Sequence, residues 1–401
     1  MKFLLTAPIL VTTFTLSSIL VLKSTVTAQV PVTANVIYVN PSTGKDTSDA
    51  GTTATTPFQT ITFALDQAKP DTVIQLAAGN YNTRETFPLL LKPGITLQGD
   101  ESTKGQGTVI TGGGFYISRT FAKQNITILA NQGNTIAGLT VTNPNDRGTG
   151  IWVESTDPTI KNNTFIKNVR EGVFITGSGS PKIENNIFSQ NKGNGLSITK
   201  TSQGEIRNNL FQNNGFGLSI NGDAKPMVTE NQIVQNKDGI FISESAKPTV
   251  HRNVIKNNQR DGIVAISKSV PDLGTNQSPG GNSMSNNGRY DLNNSTSAMI
   301  VAIGNPDMVT TRIFGSVDTG NTQPSNQSSD PNLALIQSWQ LTPISCVSGS
   351  QVITIMIDNK QYCVNPHPAL TAKNYQYNRS TGKLKALASP QSNPPGQDGG
   401  L

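Results

Sequence analysis

The chain has 401 residues, 34% of them hydrophobic and 6% aromatic, with 37 glycines and a formal charge of +6 at pH 7. Once Lys2, Lys23 and residues 342–401 are set aside, residues 29–341 hold 24 basic and 23 acidic groups. A body so close to neutral offers no basic groove for nucleic acid, and its low hydrophobicity, rich in Asn, Gly, Thr and Ser, suits a thin core better than a thick globular one.

Residues 1–28 read as a secretory signal peptide. Lys2 precedes an apolar run from Phe3 to Leu22, and Val26-Thr27-Ala28 has the small-x-small form of a cleavage site. The length of the run and Lys23 leave an uncleaved anchor as the alternative. No later stretch approaches a membrane span, so the expected mature protein is exported (extracellular, periplasmic or on the cell surface), without a span, and monomeric.

The main domain is expected over residues 34–315. Val36-Ile37-Tyr38-Val39 reads as a first strand, and Asn40 to Thr55 as a polar loop. Thr56-Pro57 reads as an N-cap and first-turn proline, followed by Phe58, Ile61, Leu65 and Ala68 at helical spacing. Such a helix would cover the open end of a solenoid, which otherwise exposes apolar side chains and strand edges. Further strands are expected at 71–76, 95–97, 109–110 and 126–129, with a degenerate coil at 136–141.

From Gly150 the chain repeats. Gly150-Ile151-Trp152-Val153 recurs in altered form at Gly172, Gly195, Gly217, Gly239 and Gly262, at intervals of 22, 23, 22, 22 and 23 residues. Asn163, Asn186, Asn209, Asn231 and Asn253 keep the same beat, as do Asn168, Asn191, Asn214, Asn236 and Asn258. A fixed period of short alternating runs and turn residues is the signature of a solenoid, and nothing here has the apolar stripe of a helix. Three inward stacks are expected: Ile160, Ile183, Ile206, Val228 and Val250; Phe165, Phe188, Phe211, Ile233 and Ile255; and Ile151, Ile175, Ile198, Ile220 and Ile242. The asparagines are expected to ladder and to take left-handed corners. The glycines are expected where a Cβ would clash or φ is positive. Lys161, Glu184 and Arg207 should form an outward charge ladder.

Strands at 290–294 and 299–303 close the repeat. Residues 316–332 read as a linker, 333–388 as a small β module, and 389–401 as a disordered tail. Within the module, strands at 352–357 and 361–364 flank a turn at Asp358-Asn359-Lys360. Cys346 and Cys363 are the only cysteines; in an exported chain one disulfide is the simplest reading.

The repeat resembles the right-handed parallel β-helix proteins of the pectin-lyase-like superfamily over about residues 34–305. Tyr38-Val39-Asn40-Pro41, Pro57-Phe58-Gln59-Thr60-Ile61, Leu76-Ala77-Ala78-Gly79-Asn80-Tyr81, Pro93-Gly94-Ile95-Thr96-Leu97-Gln98-Gly99 and Asn287-Gly288-Arg289-Tyr290-Asp291-Leu292 resemble one branch, the secreted domain of unknown function 1565. The resemblance implies an all-β, right-handed, single-stranded parallel β-helix that is exported, often to the cell surface, and has no established activity.

Chemistry is harder to place. The paired aspartates, Gly-His-Gly and basic-Ile-Lys triplet of polygalacturonases are absent. Asp238 and Asp261 precede the repeat glycine in adjacent coils, with Arg260 beside them, as Glu171 does earlier. They are the candidate catalytic residues, or a calcium site in a pectate-lyase-like reading, against a background of ordinary turn aspartates. No metal is assigned: His251 and His367 are the only histidines, and His251 reads as an outward surface residue. Trp152, Phe174 and Phe241 take outward positions, with Ser197 and Ser219 between. With Glu154 and Asn221 they form the candidate ligand site, where rings would stack on sugars and polar groups would bond hydroxyls; cover by another segment is the competing reading. The expected function is a non-catalytic polysaccharide-binding or surface module. A lyase or hydrolase and an adhesion scaffold are the alternatives.

Overall fold

The structure is a computed structural model. It describes residues 35–320 and, beyond them, 336, 341, 343–344, 346, 352–366, 370–378, 381 and 383–387. The expected signal peptide, His367, the expected tail and most of the expected linker lie outside the described residues.

Each period folds into one coil of three short strands, so that three parallel sheets run the length of a cylinder. The first sheet stacks nine strands from Val36–Val39 to Thr249–His251, and the second nine from Gly79–Tyr81 to Ser283–Ser285. The third runs from Leu89–Leu90 to Ile313–Phe314. Pairing follows the period: Ile160 aligns with Ile183, Ile183 with Ile206, Ile206 with Val228 and Val228 with Val250. Phe165, Phe188 and Phe211 stack face to face with centroids 4.9 and 4.6 Å apart. Both stacks are fully buried, and their burial is the main stabilising term at about 1.5–3 kcal/mol per large side chain. The third stack needs a correction. Ile151 aligns with Val173, and it is Val153 that pairs with Ile175. The first tetrapeptide ends in Val where the next four end in Ile, and the strand position outweighs that identity.

Both asparagine ladders form inside the wall. Asn163 Nδ2 donates to Asn186 Oδ1 at 3.1 Å, and the chain of bonds continues through Asn209, Asn231, Asn253 and Asn282 to Asn305. The second ladder runs from Asn168 to Asn287, where Asp291 accepts the last bond at 2.7 Å. Each Oδ1 also accepts a backbone N–H from the preceding coil, as Asn186 does from Asn163 at 2.9 Å. The left-handed corner lies one residue earlier than expected: Asn162, Asn185, Asn208, Glu230 and Arg252 have positive φ, whereas the ladder asparagines do not. The corner residue turns the chain, which frees the next amide to point inward and satisfy backbone groups.

The repeat glycines are required by space and not by φ. A Cβ on Gly195 would stand 2.7 Å from the carbonyl oxygen of Gly217 and 2.7 Å from the Phe211 ring. Of the outward charge ladder, Arg207 pairs with Glu184 at 2.7 Å, but Lys161 turns to Glu101 at 3.0 Å. His251 is buried, 6% exposed, and its Nε2 lies 3.1 Å from Asp272 Oδ1, because the loop after Ser269 folds back over the first sheet.

The capping helix spans Ile61–Gln67 and begins later than Thr56-Pro57 suggests. Thr56 is held in a tight turn with Thr53, and Phe58 bridges to Val39; Thr60 is the N-cap, accepting from the Phe63 amide at 3.1 Å. The helix buries Ile61, Ala64 and Leu65 against the first coil. Asp46 takes the Gln59 and Thr60 amides, and Glu85 takes those of Ile61 and Thr62.

The chain divides into two units at Gly320. In the second, strands Pro343–Ile344, Ile353–Ile357, Lys360–Val364, Asn374–Asn378 and Lys383–Leu387 form one five-stranded sheet. Asp358 and Asn359 both have positive φ, the hairpin-turn geometry that matches strand twist. Cys346 and Cys363 form a disulfide. The last two strands were not expected, although Asn374-Tyr375-Gln376-Tyr377-Asn378 alternates polar and aromatic residues.

Candidate functional site

The third sheet carries an excursion from the coil. Strand Gly114–Ile117 leaves it and runs antiparallel to Lys123–Ala130. The tip between them, residues 118–122, folds over Trp152 and Phe174, and this flap sets the surroundings of the candidate ligand site. Trp152 is fully buried and Phe174 is 7% exposed. Phe121 meets both rings edge to face, at 6.2 and 5.3 Å between centroids. The two rings stack on each other at 4.4 Å and 2°. Since they belong to adjacent coils, the ring faces look along the cylinder and their edges look outward. Phe241 is half-buried and stacks in the same manner on Phe216, at 4.9 Å and 13°. The expectation of an open row of ring faces is therefore corrected: the rings consume one another's faces, and the flap covers the first pair. Buried Trp152 Nε1 has no hydrogen-bond partner among the described residues, a condition that costs about 1–3 kcal/mol.

Glu154 fastens the flap. Its Oε2 accepts from Tyr116 Oη at 2.7 Å, and its Oε1 accepts from Ser118 Oγ, the Thr120 amide and Thr120 Oγ1 at 2.9, 2.7 and 2.8 Å. Burial alone would raise its pKa, but these donors outweigh it and hold the carboxyl below the usual glutamate range. Burial and the adjacent carboxylate push the Tyr116 hydroxyl up to about 12. Thr120 also bonds Thr176 at 3.0 Å. Beside the flap opens a cleft of about 340 Å³ lined by Tyr116, Arg119, Leu129, Asn131, Glu154 and Thr156 among others. From it a polar row leads along the turn edge of the sheet. Glu154 pairs with Thr176, and continuing the register by one residue adds Thr199, Asn221 and Ser243. Asn221 is half-exposed and stands three coils from Glu154. Adjacent rungs lie about 4.8 Å apart, the spacing of neighbouring strands.

The carboxylate row lies on the opposite edge of the same sheet. Asp238 and Asp261 do fall in adjacent coils, and both side chains are fully buried. Each is closed by an arginine from the next coil. Arg260 Nε reaches both oxygens of Asp238 at 3.1 Å, and its Nη2 donates to Asp238 as well. Arg289 Nε lies 3.0 Å from Asp261 Oδ1. Asp238 Oδ1 further accepts the Asp261 amide at 3.1 Å, while Asp261 accepts the Tyr290 amide at 3.1 Å and Asn293 Nδ2 at 2.9 Å. Asp291 with Arg312, at 3.6 Å, makes a third rung. Burial would raise Asp261, but Arg289, Asn293 and the Tyr290 amide hold it below the usual aspartate range. The same contacts push both guanidinium values up. Earlier in the row, burial raises Glu171, against the pull of Arg170 and Thr149. Lone pairs so occupied are poor bases and poor calcium ligands. Among the described residues no three His, Cys, Asp or Glu side chains gather as a metal set.

Sequence reasoning located Asp238, Asp261 and Arg260 in one cluster but missed Arg289 and Arg312, which close it. It also missed the flap residues Tyr116, Ser118, Thr120 and Phe121. The run Gly112-Gly113-Gly114, which breaks a strand pattern, was the available signal for an excursion.

Fold and site together define a parallel β-helix protein whose conspicuous carboxylates are tied to arginines and whose one flap covers an aromatic pair. The chain belongs to the family described as protein of unknown function (DUF1565), which matches residues 42–310. No curated protein matches it. Among solved structures it is similar to the pectate lyase Pel9A, at 15% identity and a TM-score of 0.49, covering 84% of this chain and 93% of that one. It is also similar to a family 28 exopolygalacturonase of Yersinia enterocolitica, at 12% identity and a TM-score of 0.43, covering 71% and 78%. A third likeness is to the A-module of the mannuronan C-5 epimerase AlgE4 of Azotobacter vinelandii, at 12% identity and a TM-score of 0.35, covering 64% and 89%. These likenesses are too distant to carry residue roles across. No helix among the described residues is long and apolar enough to cross a membrane.

Proposed function

We propose that this is an exported, non-catalytic β-helix that binds a polysaccharide in the cleft beside the flap and along the polar row that leaves it. The cleft is the observation that carries the reading. It combines a guanidinium, an amide and hydroxyls from Arg119, Asn131 and Thr156 with the apolar Leu129, the mixture that suits a ring bearing hydroxyl groups. Along the row, Thr199 and Ser243 are buried and Asn221 is the half-exposed rung, with adjacent rungs at the strand spacing of about 4.8 Å. The arginine-closed aspartates favour binding over turnover.

The test uses the chain from Gln29 onward with neutral and acidic polysaccharides, with and without calcium. Binding is read by affinity electrophoresis, and turnover by reducing ends and the absorbance of unsaturated products. Binding without product is expected, weakened about tenfold or more by Arg119→Ala with Asn131→Ala. Product lost on Asp238→Ala would instead establish a lyase or hydrolase. Absence of binding throughout would leave a scaffold.

A further inference from the structure

We propose that the flap tip, residues 118–122, is a lid over a second subsite, and that the Trp152–Phe174 pair receives a sugar residue of the bound chain when the lid lifts. This rests on the polysaccharide reading for its ligand, but not for the motion. Three observations converge on it. The first is the unpartnered indole N–H of fully buried Trp152. In the closed form this donor is unused, and a hydroxyl oxygen of an incoming sugar supplies the acceptor it lacks.

The second is how the tip is held. Its side-chain ties run to Glu154 and Thr176, and Gln124 Nε2 of the following strand donates to Ala122 O at 2.8 Å. Phe121 is the plug the tip contributes, beside Tyr116 of the strand, and Lys200 lies over its ring at 5.3 Å. Glu154 alone accepts three of these bonds. The third is the chain on either side. Strand Gly114–Ile117 stays paired to Lys123–Ala130, so the tip can swing without unravelling the coil. At the base, a Cβ on Gly113 would stand 2.1 Å from Asn143 Nδ2, so the hairpin root is seated against the wall while the tip is fastened only at its end.

Removing Phe121 opens a slot whose sides are the Trp152 and Phe174 ring edges and whose rim carries Thr176 and Glu154. The slot adjoins the cleft through Tyr116 and Thr120, which line both. The occupant this suits is one sugar residue of a chain already seated in the cleft.

The experiment locks the lid. Thr120→Cys with Thr176→Cys places two thiols where hydroxyls now meet at 3.0 Å. Trp339→Phe leaves Trp152 as the sole tryptophan. Acrylamide quenching of Trp152 is compared in the oxidised double variant, in the same protein after dithiothreitol, and in Glu154→Gln; the parent with native threonines, treated alike, controls for the Cys346–Cys363 disulfide. Quenching is expected to be lowest when locked and to rise severalfold on reduction or in Glu154→Gln. Affinity for whichever polysaccharide the parent binds is expected to fall about tenfold or more when locked and to return on reduction. Equal quenching in locked and unlocked forms overturns the lid. Unchanged affinity in the locked form overturns the subsite. If the parent binds no polysaccharide, the binding reading fails, while quenching still decides whether the lid moves.

Discussion

Gly195→Val is expected to be the most damaging single change in the repeat. The new side chain would drive into the Gly217 carbonyl and the Phe211 ring, each 2.7 Å from the first added carbon, with Phe188 at 3.2 Å behind. Neither neighbour can retreat, because Phe211 is clamped in a stack with Phe188 and the carbonyl belongs to the next coil's strand. Overpacking of a tight core costs about 1–3 kcal/mol and occasionally more; here a backbone oxygen, the Phe211 ring and the Phe188 Cβ all stand in the way, so the upper end or beyond is expected. Because each coil touches only its neighbours, damage should be local before it is global. Limited proteolysis should therefore cut first between about Asn186 and Gln235 while the ends resist. Asn221→Val, half-exposed on the turn edge, serves as the control. A variant with wild-type melting and cleavage would refute this account of the glycine row.

The second large effect concerns the aspartate–arginine rungs, and it is asymmetric. Arg289→Ala leaves the fully buried Asp261 carboxylate without its cation, and should destabilise by about 3–5 kcal/mol at neutral pH. Asp261→Asn should cost less, about 1–3 kcal/mol, because Arg289 is 56% exposed and can turn to water. The pH dependence separates the two. In the wild type the Asp261 carboxyl titrates below its unfolded value. Its contribution is therefore present above the ordinary aspartate range and is lost as pH falls through the depressed value. Without Arg289, burial dominates and the folded value rises, so the variant should regain stability as pH falls from neutral toward about 4. Urea midpoints at pH 7 and 4.5 decide it. A parallel loss in both proteins would mean that the pair is a surface contact with little weight.

These rungs also limit what the two aspartates can do. Asp261 accepts a bidentate guanidinium and two further N–H groups, and Asp238 a guanidinium and one amide, so little lone-pair capacity is left for a substrate proton or a cation. Asp238 and Asp261 instead lock successive late coils together, at the end where the repeat loosens and the asparagine ladder ends on Asp291.

Much of the architecture was legible in the residue order because a solenoid is nearly one-dimensional. One period specifies one coil, and like positions stack on like. Hence the two fully buried stacks and both asparagine ladders followed from spacing alone, while the hairpin at Asp358-Asn359 followed from its turn residues between two apolar runs. Where spacing misled, the cause was local. Ile151 was set against the wrong neighbours because a Val-for-Ile change hid the register. Thr56-Pro57 imitated a helix start, but a tight turn claimed it. The candidate site was less legible for a different reason: its decisive contacts join positions outside the period. Glu154 gains its meaning from Tyr116, Ser118 and Thr120, 38, 36 and 34 residues earlier, and Asp261 from Arg289, 28 residues later. The repeated sequence determined the coil, its core and its amide ladders, since each depends only on what recurs. The flap over Trp152 and the arginines on the aspartates were decided by tertiary structure, because an irregular excursion and a loosened final coil bring together residues that no period relates.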